Sequence, residues 1–559
     1  MVPAMKTLVQ LVETALGDSD RDWWFPAEER VIPLSVLWSN AAGMAGRLSR
    51  DHGIGPGDRV LVILENGSDY VSLLLAIWRL GAVAVPVRPY GGRHFWFDAY
   101  LAELARIADY RLIVHEPGTP AFDAAAVVAR LGRPCIAVDE LRSGATAPVG
   151  PVAGNRPEDH AVIQFTSGST GQPKGVIVTH GMMLEQLEQL REDQRYARRG
   201  PGVERALSWL PFFHDMGLFI GVLMPLFEHA HGGAAPTAYY MRNPARWFQH
   251  LSDWRADLSF STSSVLASSF RLLGRLNPAA CRLDALHLYV AAEKVSPRVL
   301  RSALAALAPF GMAEEQWHIG YGMAEYALGC THSPHGAPRT IWIDAESRRV
   351  QEGDPGPDAI ELVSVGIPNS HCRIAIHAPD GSLLPEGRVG EIRLTGPCLT
   401  PGYLNDPAAN RVKLAGGWLH TGDLGLIHRG ELYFLDRLDE LMVVGGRNVV
   451  PSDMELLVED LPEVGSGRSV LFAVENRETG GAEPVLLVEA AGSLDGDELD
   501  QRESRIRERV VEEAGLVIKR VVFVPRGSIE KTSSGKKRRR VVRRRYLDGE
   551  LERMEAHAC

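Results

Sequence analysis

Ten consecutive residues, Thr166 to Gly175 (TSGSTGQPKG), bring four hydroxyls, three glycines and one ammonium into a single short segment. Gly168, Gly171 and Gly175 let backbone amides approach an anion closely, Thr166, Ser167, Ser169 and Thr170 can donate hydrogen bonds, and Lys174 supplies charge. The apolar run AVIQF before the segment reads as a strand, and VIVTH after it leads into a polar helix. These residue types suit a nucleotide phosphate. The P-loop pattern is excluded, because Pro173 precedes Lys174 and Gly175 follows it where that pattern requires Gly and Ser or Thr.

Further segments carry groups of the same kind. In YGMAE an aromatic ring, Tyr321, and a carboxylate, Glu325, lie four residues apart, with Gly322 and Met323 between them. A flat ring offers a base a stacking platform, and a carboxylate is a hard-oxygen ligand of the kind Mg²⁺ prefers. Asp423, in TGD, reads by itself as an aspartate in a turn. Lys536 follows the flexible run Thr532, Ser533, Ser534, Gly535 and opens a stretch, KKRRRVVRRR, with eight basic residues in ten. That stretch reads either as the solvated end of a helix or as a docking surface for phosphates or an acidic partner.

The phosphate segment resembles that of the adenylate-forming superfamily, which contains acyl-CoA ligases, fatty acyl-AMP ligases, peptide-synthetase adenylation domains and luciferases. Six more segments are similar to that family in the same chain order: Ser208 to Leu226, VAAE ending at Glu293, YGMAE from Tyr321, TGD from Thr421, Asp436 to Glu455, and Gly527 to Arg539. The resemblance implies activation of a carboxylic acid with ATP and Mg²⁺, giving an acyl-adenylate and pyrophosphate. It implies that Tyr321, Gly322 and Met323 meet adenine, that Asp423 and Arg437 hold the ribose, and that Glu325 faces the metal. Asp439 resembles the hinge about which a small domain turns. Lys536 resembles the lysine that bridges substrate carboxylate and α-phosphate.

Three features are similar to the fatty acyl-AMP ligase branch. They are His214-Asp215-Met216-Gly217, Gly446-Arg447-Asn448 followed by Pro451, Asp453 and Glu455, and a stretch of about forty residues between Glu325 and Gly366. That stretch resembles the branch's insertion, which implies restraint of the small domain and delivery of the acyl group to the phosphopantetheine thiol of an acyl carrier protein, with CoA as the alternative acceptor. His214, beside two phenylalanines, reads as a core histidine or as a carboxylate-binding group. Val449-Val450 replaces a His-Tyr pair frequent in the branch, and VAAEKVSP is looser than its usual GAEP-type segment. The Ser-rich SFSTSSVLASSF lies where an acyl pocket would be lined, and the acid's identity stays open.

Short apolar runs such as RVLVILENG and AVAVPVRP alternate with helical patterns such as YVSLLLAIWRLG, which predicts α/β architecture in layered sheets. A β-rich section follows, with a turn at Asp380-Gly381. The reading is a large N-terminal domain over 1–436, a hinge at 437–441 and a small mobile α/β C-terminal domain over 442–559. A length of 559 residues with 45% hydrophobic and 23% charged residues fits a folded chain of at least two domains. The net charge of -10 argues against general nucleic-acid affinity. Six dispersed cysteines form no metal-ligand spacing, and no signal peptide or membrane span is expected, so the expected setting is cytoplasmic.

Overall fold

A computed structural model describes residues 7–551 except 19, 90–93, 119–121, 143–149, 152–154, 167–172, 199–201, 335, 345, 357–358, 439, 441, 445–446, 466, 476–481, 491–495, 515, 519 and 532–536. Strand Arg59–Ile63 shows how alternation builds the layers. Val60 and Val62 face one hydrophobic cluster while Leu61 and Ile63 face another, because successive side chains leave a strand on opposite sides. Both faces of this strand are therefore buried, which requires a continuous apolar run.

The strand belongs to a six-stranded sheet in the order Cys135–Ala137, Leu112–His115, Arg59–Ile63, Val83–Pro86, His160–Thr166, Lys174–Thr179. Neighbours are parallel except the last pair, which is antiparallel and matches Thr166 with Lys174. A seven-stranded sheet runs Trp317–Ile319, His287–Val290, Leu258–Ser261, Arg205–Ser208, His231–Ala234, Asp22–Phe25, Arg30–Pro33, parallel except for its final pair. One large cluster joins the two sheets through helix Ser68–Arg79, every residue of which except Asp69 is buried. Burying each large aliphatic side chain there contributes about 1.5–3 kcal/mol.

A four-stranded antiparallel sheet follows: Arg373–His377, Gly390–Thr395, Leu419–His428, Glu431–Arg437. Between Glu325 and Gly366 the chain is not a plain loop. Strands Thr340–Asp344 and Ala359–Val363 pair antiparallel, and Ile343 and Leu362 are buried with Leu424, Leu426, Tyr433, Leu435 and Val450. Arg301 clamps Glu361 and Arg339 pairs with Glu431, so the segment is anchored by packing and charge together.

From residue 442 onward two clusters form on the faces of a three-stranded sheet, Ser469–Glu475, Ala482–Ala490 and Arg520–Pro525. Leu471 faces one and Val470 and Phe472 the other. The basic run lies partly on helix Arg539–Leu547. It is not wholly a solvated face, because Lys537 is held by Glu455 and Glu459 at 2.7 and 2.6 Å and Arg539 by Glu455 at 2.9 Å, all largely buried. Burial alone would raise the Glu455 carboxyl, but Arg539 and Lys537 outweigh it and hold the group below its ordinary value. Lys531 and Lys537 form an isolated antiparallel bridge. No described helix is long and apolar enough to cross a membrane, and the five described cysteines are free thiols.

Candidate active site

Carboxyl ends of parallel strands open a crevice where ligands bind, since helices and loops diverge there. In the seven-stranded sheet, Arg205–Ser208 leads to His214, Leu258–Ser261 to Thr262 and Ser264, His287–Val290 to Glu293, and Trp317–Ile319 to Tyr321. In the six-stranded sheet, His160–Thr166 leads to the phosphate segment. The two ends meet: Gln164 donates to the Phe213 carbonyl at 2.5 Å, beside His214. Helix Asp215–Leu218 starts there, with the His214 ring accepting from the Met216 amide at 3.4 Å. Gly217 is required at this turn, because a Cβ would overlap the Pro211 carbonyl.

A third group comes from the antiparallel sheet. Its register sets Asp423 opposite Arg437, and Arg437 Nε donates to Asp423 Oδ1 at 3.1 Å. The Tyr321 hydroxyl donates to Asp423 Oδ2 at 2.7 Å. Burial first, then the Asp423 charge, raises the Tyr321 hydroxyl well above its ordinary value, so it stays a donor. Its ring stacks against Phe434, with centroids 6.1 Å apart. Gly322 permits this turn, since a Cβ would overlap the Leu328 carbonyl where Met323 N donates to that same oxygen at 2.7 Å.

Glu325 follows on a single 3-10 turn, Ala324–Tyr326. Its Oε1 accepts from the Tyr403 hydroxyl at 2.8 Å, and the Lys174 ammonium lies 5.3 Å from the centre of the Tyr403 ring. One chain of contacts therefore runs from Thr166 and Lys174 through Tyr403 to Glu325, and by the YGMAE turn to Tyr321, Asp423 and Arg437. Tyr403 carries no motif in the sequence; a tyrosine amid turn residues in TPGYLNDP is its only signal.

A divalent cation that keeps waters and draws other ligands from phosphates needs one or two protein carboxylates. Glu325 fits: it is a hard oxygen ligand, half-buried, and no described residue donates to its Oε2. Among the described residues no group of three or more metal-binding side chains occurs.

Ser167, Gly168, Ser169, Thr170, Gly171, Asp439 and Lys536 lie outside the described residues. The serines of SFSTSSVLASSF are largely used within the fold: Ser259 donates to the Leu207 carbonyl, Ser261 to the Thr262 carbonyl and Ser269 to the Val265 carbonyl, while the Ser264 amide bonds Glu293. Lys294, one residue on, forms hydrogen bonds to both oxygens of Asp453 at 2.7 and 2.9 Å, and Arg298 meets Asp460 at 2.5 Å. Asp436, beside Lys294 and Arg539, is pushed up to about 6 by burial, which those two cations oppose.

Residues 34–404 match the family model described as AMP-binding enzyme. The chain is 30% identical to the 4-hydroxyphenylalkanoate adenylyltransferase of Mycobacterium tuberculosis, over 96% of this chain and 88% of that protein. Its fold is similar to a structure from a study of fatty acyl-adenylate ligases of E. coli and L. pneumophila, with a TM-score of 0.87, 26% identity and coverage of 98% and 99% of the two chains. It is also similar to the L. pneumophila fatty acyl-adenylate ligase in complex with acyl adenylate and pyrophosphate, with a TM-score of 0.71, 25% identity and coverage of 99% and 98%. A family model that matches most of the length and a relative 30% identical over nearly the whole chain have one explanation: this chain belongs to the AMP-binding enzyme family.

Proposed function

We propose that this enzyme activates a carboxylic acid with ATP, forming an acyl-adenylate and pyrophosphate, and passes the acyl group to the phosphopantetheine thiol of an acyl carrier protein. One observation carries the reading: the contacts of Lys174, Tyr403 and Glu325 and those of Tyr321, Asp423 and Arg437 are joined by the short YGMAE turn, which brings four stretches of chain together. A carboxylate is a weak nucleophile, so catalysis rests on positioning and on offsetting charge, with no covalent protein intermediate.

In this scheme the residues from Thr166 to Gly171 and Lys174 hold the phosphates. Tyr321, Gly322 and Met323 meet adenine, and Asp423 and Arg437 hold the ribose hydroxyls. Lys536 bridges the acid's oxygen and the α-phosphate as the carboxylate attacks phosphorus and pyrophosphate leaves. His214 sits where the acid's carboxylate enters. Bound Mg²⁺ would neutralise phosphate charge, and Glu325 is the residue that would hold it. Residues 1–436 form the large domain and 442–559 the small one, turning about Asp439 within 437–441.

The acceptor follows from the segment between Glu325 and Gly366. Its hairpin shares a buried cluster with Val450, so packing links it to the start of the small domain and supports a restraint on that domain. The relative named for 4-hydroxyphenylalkanoates brings aryl acids into the substrate class beside fatty acids. The test is to incubate enzyme, ATP and Mg²⁺ with a panel of fatty and arylalkanoic acids, with either CoA or holo-carrier protein, and to weigh the products. Acyl-carrier thioester is the expected product. Thioester on CoA alone would overturn the acceptor, and absence of acid-dependent pyrophosphate release would overturn the reaction.

A further inference from the structure

Tyr403 is 3% exposed and is fixed on every side. Its amide donates to Asn410 Oδ1 at 2.6 Å, and its carbonyl accepts from Asn410 Nδ2 at 3.0 Å. The neighbouring Leu404 amide bonds the Gly175 carbonyl at 2.7 Å and the Ile177 amide bonds the Gly402 carbonyl at 3.1 Å, so this segment runs along the edge strand that begins at Lys174. Thr400 ties the other partner in, its amide donating to the Glu325 carbonyl at 2.8 Å and its hydroxyl to the Ile177 carbonyl at 2.7 Å.

From this frame one side chain reaches two groups of the phosphate site. The hydroxyl occupies Glu325 Oε1 at 2.8 Å, and the ring stands 5.3 Å from the Lys174 ammonium. A cation near an aromatic face is attracted by the ring's quadrupole, and a hydrogen bond to a carboxylate sets which oxygen stays available to a metal.

We propose that Tyr403 is a positioning residue of the phosphate site, orienting Glu325 so that Oε2 is presented to a divalent cation while its ring steadies Lys174. This rests on the reading that Glu325 faces the metal-bound phosphates.

The experiment uses the full chain with a non-hydrolysable ATP analogue and Mn²⁺ as the probe, free Mn²⁺ being read by electron paramagnetic resonance. Tyr403→Phe keeps the ring and loses the hydroxyl. It is expected to weaken Mn²⁺ binding about tenfold or more, with metal-free analogue binding and Tm close to the parent's. Half-saturating Mg²⁺ for pyrophosphate release should rise in step, while the rate at saturating Mg²⁺ falls much less. Tyr403→His, which retains a ring donor, is expected to recover part of the loss and serves if the Phe variant folds poorly. Glu325→Gln separates the two layers of the argument. If it weakens Mn²⁺ binding and Tyr403→Phe does not, the positioning role is overturned. If neither does, the metal-facing reading of Glu325 fails and the proposal falls with it.

Discussion

Lys294 Nζ and the Asp453 carboxylate meet at 2.7 and 2.9 Å and join the end of the VAAEK segment to helix Pro451–Glu459. Only 10% of the lysine side chain is exposed. Arg298, on the following helix Pro297–Leu307, meets Asp460 at the end of helix Pro451–Glu459, so a second ion pair holds this arrangement of the chain. Lys294→Ala should cost between the ~1 kcal/mol of exposed pairs and the ~3 kcal/mol of buried ones. The charge swap of Lys294→Asp with Asp453→Lys should recover part of it. Midpoints of denaturant unfolding check this, and wild-type midpoints in both variants would rule the pair out as a fastening.

Lys536 is the residue proposed to act on the reacting atoms. Removing a single donor to developing charge typically lowers a rate by ~10²–10³, and Lys536→Ala is expected to lose at least that in acyl-adenylate formation. The measurement is acid-dependent pyrophosphate release under single-turnover conditions. A near-normal rate would refute the assignment.

Asp423 accepts from both Tyr321 and Arg437. Hydrogen bonds to a charged group contribute about 1.5–3 kcal/mol each. Asp423→Ala removes the shared acceptor and should weaken ATP binding by roughly 10–100-fold, with a much smaller effect on the apparent affinity for the acid. Equilibrium binding of a non-hydrolysable ATP analogue reads the first effect directly. Equal losses for both substrates would instead mean a collapsed crevice.

His180 is 1% exposed, and its Nδ1 accepts from the Leu8 amide at 3.3 Å, docking the N-terminal helix Leu8–Asp18. Burial depresses it to about 4 from an ordinary 6.5, with Asp159 opposing the shift. A depressed folded value means that the unfolded chain binds the extra proton first. The neutral histidine's contribution is therefore complete above about pH 6.5 and is lost as pH falls toward 4. The loss is on the order of 3 kcal/mol. Denaturant unfolding at pH 7 and pH 4.5 should show His180→Gln with a flatter pH dependence than the parent, and parallel curves would contradict the linkage.

Much of the fold is legible in the residues. Apolar runs at Arg59–Ile63, Val83–Pro86 and His287–Val290 are strands because β-branched and aliphatic side chains alternate onto two buried faces. The residues between Glu325 and Gly366 resemble an insertion whose internal structure no motif announces, and there Ile343 and Leu362 build a packed hairpin. Short strands separated by Pro, Gly and charged residues give too weak a periodicity to announce themselves. The basic run likewise reads as surface, while Lys537 and Arg539 turn inward because Glu455 and Glu459, some eighty positions earlier, wait there.

Local chemistry singled out the candidate groups: glycines, hydroxyls and a lysine between Thr166 and Gly175, and a ring and a carboxylate in YGMAE. Those types follow from what a phosphate demands of its neighbours, and that demand is written in one dimension. Which group touches which was decided only by the folded chain. Sheet register puts Arg437 against Asp423, and a turn bonded to the edge strand carries Tyr403 to Glu325 and Lys174. Tyrosine has no spacing rule by which to declare such a task; its role exists because packing closes a distance of 78 residues to a 2.8 Å hydrogen bond.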